Sequence, residues 1–181
     1  PCHDRTGGGN GMIVQRGYVQ PTSFHADRLR SAPVGYFFNA ITNAFGVPPE
    51  KIRVVYNGLD SQEFTPLPGV AKKPGSLIFV GNSEDRKKGL LYLLQALRYL
   101  PECVTLTVVD GGAPQRSFAP MLAEKFGIVH RVHFTGKIGP DDLVRLYCSA
   151  EIAVVPSLYE GFGFPAAEAM ACELPVVCST A

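Results

Sequence analysis

The chain has 181 residues and a formal net charge of +1 at neutral pH. Its composition, 46% hydrophobic and 18% charged, is sufficient to bury a core and excludes a disordered chain. The balanced charge gives no strong basic or acidic field that would point to nucleic acid or to a membrane surface. Five cysteines without a C-x-x-C pair favour reduced, mostly buried thiols in a cytoplasmic protein. A catalytic cysteine is the alternative, but no histidine pattern supports it.

The first third of the chain has little regular pattern. Residues 1–33 show no sustained period and are expected to be a flexible leader without assigned structure. Their glycine-rich patch, Gly7 to Gly11, lacks the preceding strand and the Lys-Ser/Thr pair of a phosphate loop. A helix is predicted at 34–45, and a strand at 52–56 is followed by an Asn57-Gly58 turn signal. Residues 59–76 are rich in proline, glycine and lysine, which predicts a linker.

From Leu77 onward, strands and helices alternate. Strands are predicted at 77–81, 104–110, 131–136, 151–156 and 175–179. Helices are predicted between them, and the one near residue 90 has leucines at the 0, 3, 4, 7 spacing of one buried face. The strands are short, apolar and mostly non-alternating, as in parallel sheets covered on both faces. The sequence therefore predicts an α/β fold with a Rossmann-like doubly wound parallel sheet. Because the chain stops at Ala181 directly after a strand, the domain at 77–181 is expected to be truncated, incomplete at its C-terminus.

The stretch "LYEGFGFPAAEAMACELP" carries two glutamates, Glu160 and Glu168, with seven residues between them. In a doubly wound sheet, ligands bind beyond the carboxyl ends of the strands, where the loop 156–164 is predicted to lie. Glycines there allow close backbone approach, and amides at a helix start suit a phosphate or a sugar oxygen. Glu168 is expected to flank the buried face of the following helix and to accept hydrogen bonds from a vicinal diol such as a ribose. That buried face is expected to comprise Ala167, Met170, Ala171 and Leu174.

The longer string "PSLYEGFGFPAAEAMACELPVVCS" resembles the E-x7-E signature of retaining GT-B glycosyltransferases of the glycosyltransferase family 4 type. Segments such as "FVGNSEDRKKGLLYLLQAL", "LTVVDGG" and "VHFTGKI" match the family in the same order, so the resemblance covers residues 34–181. It implies the C-terminal half of a GT-B fold. Residues 34–58 would be the tail of the N-terminal domain and the interdomain crossover, and 77–181 the nucleotide-sugar-binding domain.

The resemblance also implies roles for residues of the E-x7-E stretch. Glu160 would be the catalytic residue that contacts the hydroxyls of the transferred sugar. Backbone amides near Gly161, Phe162 and Gly163 would meet the sugar or the distal phosphate. Glu168 would hold the ribose.

Other roles fall on loops elsewhere in the domain. Lys88 would neutralise the diphosphate, and backbone groups near Lys137 and Ile138 would contact the base. The sequence departs from the family at Asn82, where an arginine commonly shares the diphosphate with the lysine, and the loop "NSEDRKK" is one residue longer than usual. Arg86 is the candidate replacement; the alternative is a solvated charge run.

The implied function is a retaining hexosyltransferase that takes a sugar from a UDP- or GDP-sugar to a glycan, lipid or small-molecule acceptor. No cofactor and no metal is expected, because no Asp-x-Asp-like cluster is present and Asp141-Asp142 is explained by a helix start. No nucleic-acid partner is expected, and peripheral membrane association through the missing half is left open. This fragment alone is predicted to be inactive. The alternatives are a non-catalytic nucleotide-sugar binding module or another GT-B enzyme, such as a nucleotide-sugar epimerase or a phosphorylase.

Overall fold

The computed structural model describes residues 12–15, 32–55, 57–110 and 118–180. The chain divides into two compact units, Pro1–Gly58 and Leu59–Ala181. Among the described helices, none combines the length and the apolar character needed to cross a bilayer.

The first unit contains two paired strands and a helix. Strand β1, Met12–Gln15, pairs in parallel with β2, Ile52–Val55. Helix α1, Ala32–Phe45, ends before Gly46, which has φ +61°, so the predicted helix is confirmed and begins slightly earlier. Strand β1 falls within residues 1–33, the leader for which the sequence pattern assigned no element. The glycine patch at 7–11 lies outside the described residues.

The second unit alternates strands and helices along its whole length. Its strands are β3 (Ser76–Val80), β4 (Thr105–Val109), β5 (Val132–Gly136), β6 (Ile152–Val155) and β7 (Val176–Cys178). Its helices are α2 (Leu90–Leu97), α3 (Phe118–Lys125), α4 (Pro140–Ser149) and α5 (Phe164–Ala171), with short 3₁₀ turns at Arg86–Lys88 and Val129–Arg131. Each of these strands and helices was predicted, with bounds that differ by a few residues.

The five strands form one parallel sheet in the order β5-β4-β3-β6-β7. The chain starts in the middle at β3, moves outward through β4 to β5, and returns to the other side of β3 with β6. This reversal confirms the predicted doubly wound α/β fold. It also creates a switch point between β3 and β6, the place in a doubly wound sheet where ligands bind beyond the carboxyl ends of the strands.

Two apolar clusters cover the two faces of the sheet. Leu77 and Phe79 of β3 belong to one cluster, whereas Ile78 between them belongs to the other. A strand that is apolar on both faces explains why the sequence showed no alternation. The first cluster includes the predicted leucine face of α2, whose buried members are Leu90, Leu93, Leu94 and Leu97.

The segment 59–76, predicted as a linker, is packed against the second cluster along part of its length. Phe64, Leu67 and Val70 are partly buried in contact with that cluster. The backbone amide of Leu67 also donates to Cys148 Sγ on α4 over 3.3 Å. The turn signalled at Asn57-Gly58 lies instead at 61–63, where the Asp60 side chain accepts a hydrogen bond from the amide of Gln62.

Helix α5 ends in a Schellman turn, in which the amide of Leu174 donates to Ala169 O and that of Glu173 to Met170 O. Glu173 takes a left-handed conformation with φ 56°. The turn breaks the helical spacing, so Ala169 and Leu174 are buried while Met170 is 67% exposed. The prediction that Met170 belongs to the buried face is therefore wrong.

The prediction that the cysteines are mostly buried is confirmed for only two of the four described ones. Cys148 and Cys172 are buried, whereas Cys103 and Cys178 are exposed because they lie at the end of a loop and at the end of an edge strand. Cys2 lies outside the described residues.

Candidate functional site at the switch point

The loops after β3 and β6 meet at the switch point. A Cβ built on Gly89 would lie 1.9 Å from the carbonyl oxygen of Pro156, so the two backbones approach too closely for any other residue. The amide of Leu158 donates to Lys87 O over 2.7 Å, and the Lys87 ammonium lies 5.9 Å from the Tyr159 ring centroid. The two loops therefore form one surface at the carboxyl edge of the sheet.

An ion pair joins the two loops at this edge. Lys88 Nζ lies 2.7 Å from Glu160 Oε1, and their side chains are only 28% and 18% exposed. Ser157 Oγ donates to the same oxygen over 2.8 Å, and Ser179 Oγ donates to Ser157 O. Both contacts that the described part of the structure gives the Glu160 side chain are made by Oε1. The Lys88 ammonium has N–H groups beyond the one that contacts Oε1, and they lie beside the second carboxylate oxygen of Glu160, Oε2.

The N-terminus of α5 supplies amide groups next to Glu160. Gly163 is the N-cap with φ 80°, a left-handed conformation that glycine adopts without strain. Its carbonyl accepts hydrogen bonds from Ala166 and Ala167. Within the described part of the chain, the amides of 161–163 donate no hydrogen bond. They therefore form a set of donors at the positive end of a helix, which suits an anion.

Glu168 lies one turn into α5 and is held by a tyrosine of the neighbouring helix. Tyr147 OH donates to Glu168 Oε2 over 2.8 Å, and Tyr147 is only 1% exposed. Burial raises the pKa of Glu168, the Tyr147 hydrogen bond opposes that rise, and the nearby Glu63 carboxylate adds to it. Burial and the adjacent Glu168 carboxylate raise the pKa of Tyr147, so this hydroxyl remains a donor. The described structure gives no contact between Glu168 and the Lys88–Glu160 pair.

The loop after β3 is shaped by side-chain hydrogen bonds. Asn82 Oδ1 accepts from the amide of Glu84 over 2.9 Å, so Asn82 forms a local turn. Ser83 donates through its amide and its hydroxyl to Asp110, which is buried at the end of β4. Arg86 is exposed and, with Leu158, lines a pocket of about 530 Å³ between this loop, α2 and α3.

Lys137 and Ile138 lie in the loop after β5, at the same edge of the sheet. Lys137 is exposed, and Ile138 is partly buried against the second apolar cluster. The structure thus places every sequence-predicted site residue in a loop that follows a strand or near the start of a helix. It brings Lys88 and Glu160 into direct contact.

Sequence reasoning missed three residues of the site, Tyr147, Ser157 and Asp110. Tyr147 occupies the buried face of α4 with Val144 and Cys148, so its spacing signals core packing only. Ser157 and Asp110 each follow a buried strand, a position that could have marked them. Within the described ranges, no group of three or more histidine, cysteine, aspartate or glutamate side chains is arranged to hold a metal ion.

Known proteins resemble this chain in sequence and in fold. An uncharacterized glycosyltransferase of Methanocaldococcus jannaschii is 33% identical over 152 residues, covering 77% of this chain and 39% of the relative. Sucrose-phosphate synthase from Thermosynechococcus elongatus is 33% identical with a TM-score of 0.61, covering 71% of this chain and 35% of that one. The Anabaena protein HepE in complex with UDP and glucose has a TM-score of 0.67. It is 23% identical and covers 94% of this chain and 53% of its own, which shows a shared fold.

The family assignment rests on sequence. This chain spans about two fifths of the length of the Methanocaldococcus relative. The sequence profile of the glycosyl transferases group 1 family matches residues 74–181, which contain the whole five-stranded sheet and both glutamates. The chain therefore belongs to the glycosyl transferases group 1 family.

Proposed function

We propose that residues 59–181 form the donor-binding half of a retaining glycosyltransferase that uses a nucleoside diphosphate sugar. The observation that carries the proposal is the 2.7 Å contact between Lys88 and Glu160 at the switch point. A nucleotide sugar has an anionic diphosphate bonded to a sugar rich in hydroxyls. A cation beside a carboxylate oxygen matches that junction, because the ammonium suits the diphosphate and the carboxylate suits the hydroxyls.

The diphosphate would be bound by Lys88 together with the amides of 161–163. Both lie at the carboxyl edge of the sheet, and both are donors only, as an anion requires. Asn82 carries no charge and is engaged in a local turn, so Arg86 is the proposed second cation. Arg86 is exposed on the same loop, two residues before Lys88.

The remaining parts of the donor would follow the sheet edge. Glu160 Oε2 would accept hydrogen bonds from hydroxyls of the transferred sugar. Glu168 would accept from the ribose, and backbone groups of Lys137 and Ile138 would contact the base. These assignments extend from the β6 loop to the β5 loop along one edge, as the parts of an extended nucleotide require.

The proposed reaction transfers the sugar to an acceptor hydroxyl with retention. The chain's contribution would be electrostatic, since the positive groups around Lys88 stabilise the charge that develops on the departing diphosphate. No metal is required in this proposal, because Lys88, Arg86 and the helix amides supply the positive charge. Transfer is proposed for a protein longer than this chain, in a cytoplasmic setting, and donor binding for this chain itself.

Two other functions remain as competing outcomes. A non-catalytic nucleotide-sugar binding module would use the same contacts without transfer, and an epimerase would act on the sugar without an acceptor. The switch-point pair favours neither of them over transfer, and the family assignment favours transfer.

Binding can be tested with this chain by calorimetry against UDP, GDP and ADP and against the matching nucleosides. UDP is the first ligand to test, because it occupies the HepE structure that shares this fold. The proposal predicts that one diphosphate binds clearly and that its nucleoside binds much more weakly. If none of the three diphosphates binds, the proposal is wrong.

Lys88→Ala supplies the matched test of the diphosphate contact, and Lys73→Ala is its control. Lys73 precedes β3 and so lies toward the amino ends of the strands, opposite the proposed site. Lys88→Ala should weaken diphosphate binding about tenfold or more, since hydrogen bonds to charged groups contribute roughly 1.5–3 kcal/mol. Lys73→Ala should leave it unchanged. Equal effects from both substitutions would indicate a non-specific charge effect.

A further inference from the structure

A buried tyrosine contacts the carboxylate that the proposed function assigns to the ribose. Tyr147 belongs to α4 and Glu168 to α5, and both helices pack on the same face of the sheet. The bond from Tyr147 OH to Glu168 Oε2 is 2.8 Å long. Within the described residues, this is the hydrogen bond that the Glu168 side chain makes, and it uses Oε2. The other oxygen, Oε1, is therefore the one left to accept from a ligand.

Two effects reduce the ability of a half-buried carboxylate to bind a ligand. Burial favours its protonated form, which would replace one acceptor by a donor. Its flexible side chain must also be fixed in one rotamer, which reduces affinity unless it is ordered in advance. A hydrogen bond from a buried hydroxyl addresses both, because it stabilises the ionised form and fixes one oxygen.

We propose that Tyr147 is a positioning residue for nucleotide recognition: its hydroxyl holds Glu168 Oε2 so that Oε1 is presented to the ribose diol. This inference rests on the proposed function of Glu168. Tyr147 does not itself contact the nucleotide in this arrangement. Its role is to set the orientation and charge of the residue that does.

The surroundings of Tyr147 allow the hydroxyl to be removed without moving the ring. The ring is edge-on to Phe64, with centroids 6.5 Å apart, and is enclosed by the second apolar cluster. Tyr147→Phe keeps these contacts and deletes the hydrogen bond alone.

Among the described residues, three titratable groups face Glu168 from the elements packed around it. They are Tyr147 on α4, Glu63 in the segment before β3, and Cys172 at the end of α5. Burial and the neighbouring Cys148 raise the pKa of Cys172 to about 12, so this thiol stays neutral near physiological pH. Glu63 and Tyr147 act on Glu168 in opposite directions, which makes them a matched pair for a test.

The first experiment measures the affinity of whichever of UDP, GDP and ADP the wild type binds best, and that of its 2′,3′-dideoxy analogue. The ratio of the two affinities reports the ribose contact alone. Tyr147→Phe should reduce the affinity for the natural diphosphate about tenfold and the affinity for the dideoxy analogue less than about twofold. If Tyr147 had a purely structural role, the substitution would reduce the affinities for both ligands equally.

The second experiment follows the same ratio as the pH is lowered. Protonation of Glu168 removes the ribose contact, so the ratio should fall with decreasing pH. Tyr147→Phe removes a bond that lowers the pKa of Glu168, and the fall should begin at a higher pH than in wild type. Glu63→Gln removes a repelling carboxylate, and the fall should begin at a lower pH.

A 3-fluorotyrosine at position 147 covers the case in which the phenylalanine variant does not fold. Its more acidic hydroxyl is a stronger donor, so the pH at which the ratio falls should decrease. The inference is overturned if neither Tyr147 variant changes the ratio or its pH dependence, or if wild type does not discriminate the dideoxy analogue. Those outcomes leave diphosphate binding and the proposed roles of Lys88 and Glu160 intact, whereas a wild type that does not discriminate the dideoxy analogue also contradicts the proposed ribose contact of Glu168. Absence of binding to any diphosphate would overturn both.

Discussion

Gly89 lies where the backbone of the loop after β3 packs against Pro156 of the loop after β6. It has φ +74°, and a Cβ there would lie 1.9 Å from the Pro156 carbonyl oxygen. Gly89→Ala should therefore destabilise the second unit and separate the loops that carry Lys88 and Glu160. The substitution adds a single methyl group, so its effect reports the backbone geometry directly.

The expected destabilisation has two parts. A non-glycine residue in the left-handed region costs about 1–2 kcal/mol. Overpacking against neighbours costs about 1–3 kcal/mol, and here the neighbour is backbone, which cannot rotate away. The sum is about 2–5 kcal/mol, a large part of the roughly 5–15 kcal/mol by which domains are stable.

The matched control is Gly127→Ala. Gly127 has φ +71°, almost the same conformation as Gly89, but nothing lies within 4 Å of its added Cβ. Gly127→Ala should therefore show only the cost of placing a non-glycine residue in the left-handed conformation. Urea unfolding followed by far-ultraviolet circular dichroism gives both values, and calorimetry with the best diphosphate should show weakened binding only for Gly89→Ala. If Gly89→Ala destabilises no more than Gly127→Ala, the two loops are not in backbone contact and the site geometry described above is wrong.

Substitutions at Arg131, Glu102, Glu173 and Glu168 test the hydrogen bonds, the backbone strain and the buried charge of the second unit. Arg131→Ala should lower the free energy of unfolding by about 1.5–3 kcal/mol or more, because this 3%-exposed side chain donates to the carbonyls of Leu100, Pro101 and Val104. Replacement of its exposed partner Glu102 should have a much smaller effect. Urea unfolding of both variants measures the difference. Glu173→Gly should stabilise by roughly 1 kcal/mol by relieving the left-handed conformation, and an unchanged or lower unfolding midpoint would contradict the Schellman turn. Because the folded-state pKa of Glu168 is raised above 4.5, the folded protein holds that proton more tightly than the unfolded chain and loses stability as pH rises. Glu168→Gln should therefore be more stable than wild type at neutral pH, with the difference shrinking in acid.

Much of the fold was predictable because its signals are local. The apolar runs of the strands and the leucine spacing of α2 predict a parallel sheet without any knowledge of contacts. The glycines and the proline between Glu160 and Glu168 likewise predicted a loop followed by a helix. The ion pair with Lys88 is different, because it joins residues 72 positions apart and depends on the strand order.

What the sequence did not reveal depends on tertiary contacts. Tyr147 reads as a core residue of α4, and its bond to Glu168 exists only because α4 and α5 are neighbours on the sheet. Met170 was misplaced because the Schellman turn at Glu173 ends the helical spacing. Strand β1 is four residues long and pairs with a strand forty residues away, so it leaves no periodic signal.

The most direct test of the proposed donor-binding site compares the affinities for a nucleoside diphosphate and for its sugar-bearing form in wild type and in Glu160→Gln. Calorimetry with the best diphosphate and with its glucose and mannose conjugates would give the affinity ratio for each protein. We expect Glu160→Gln to bind the diphosphate no more weakly than wild type, because the change removes a negative charge beside Lys88. We expect it to lose about tenfold in affinity for the preferred sugar conjugate, since the carboxylate contact is charge-assisted. Equal losses for the diphosphate and its conjugate, or no loss for either, would contradict the assignment of Glu160 to the transferred sugar.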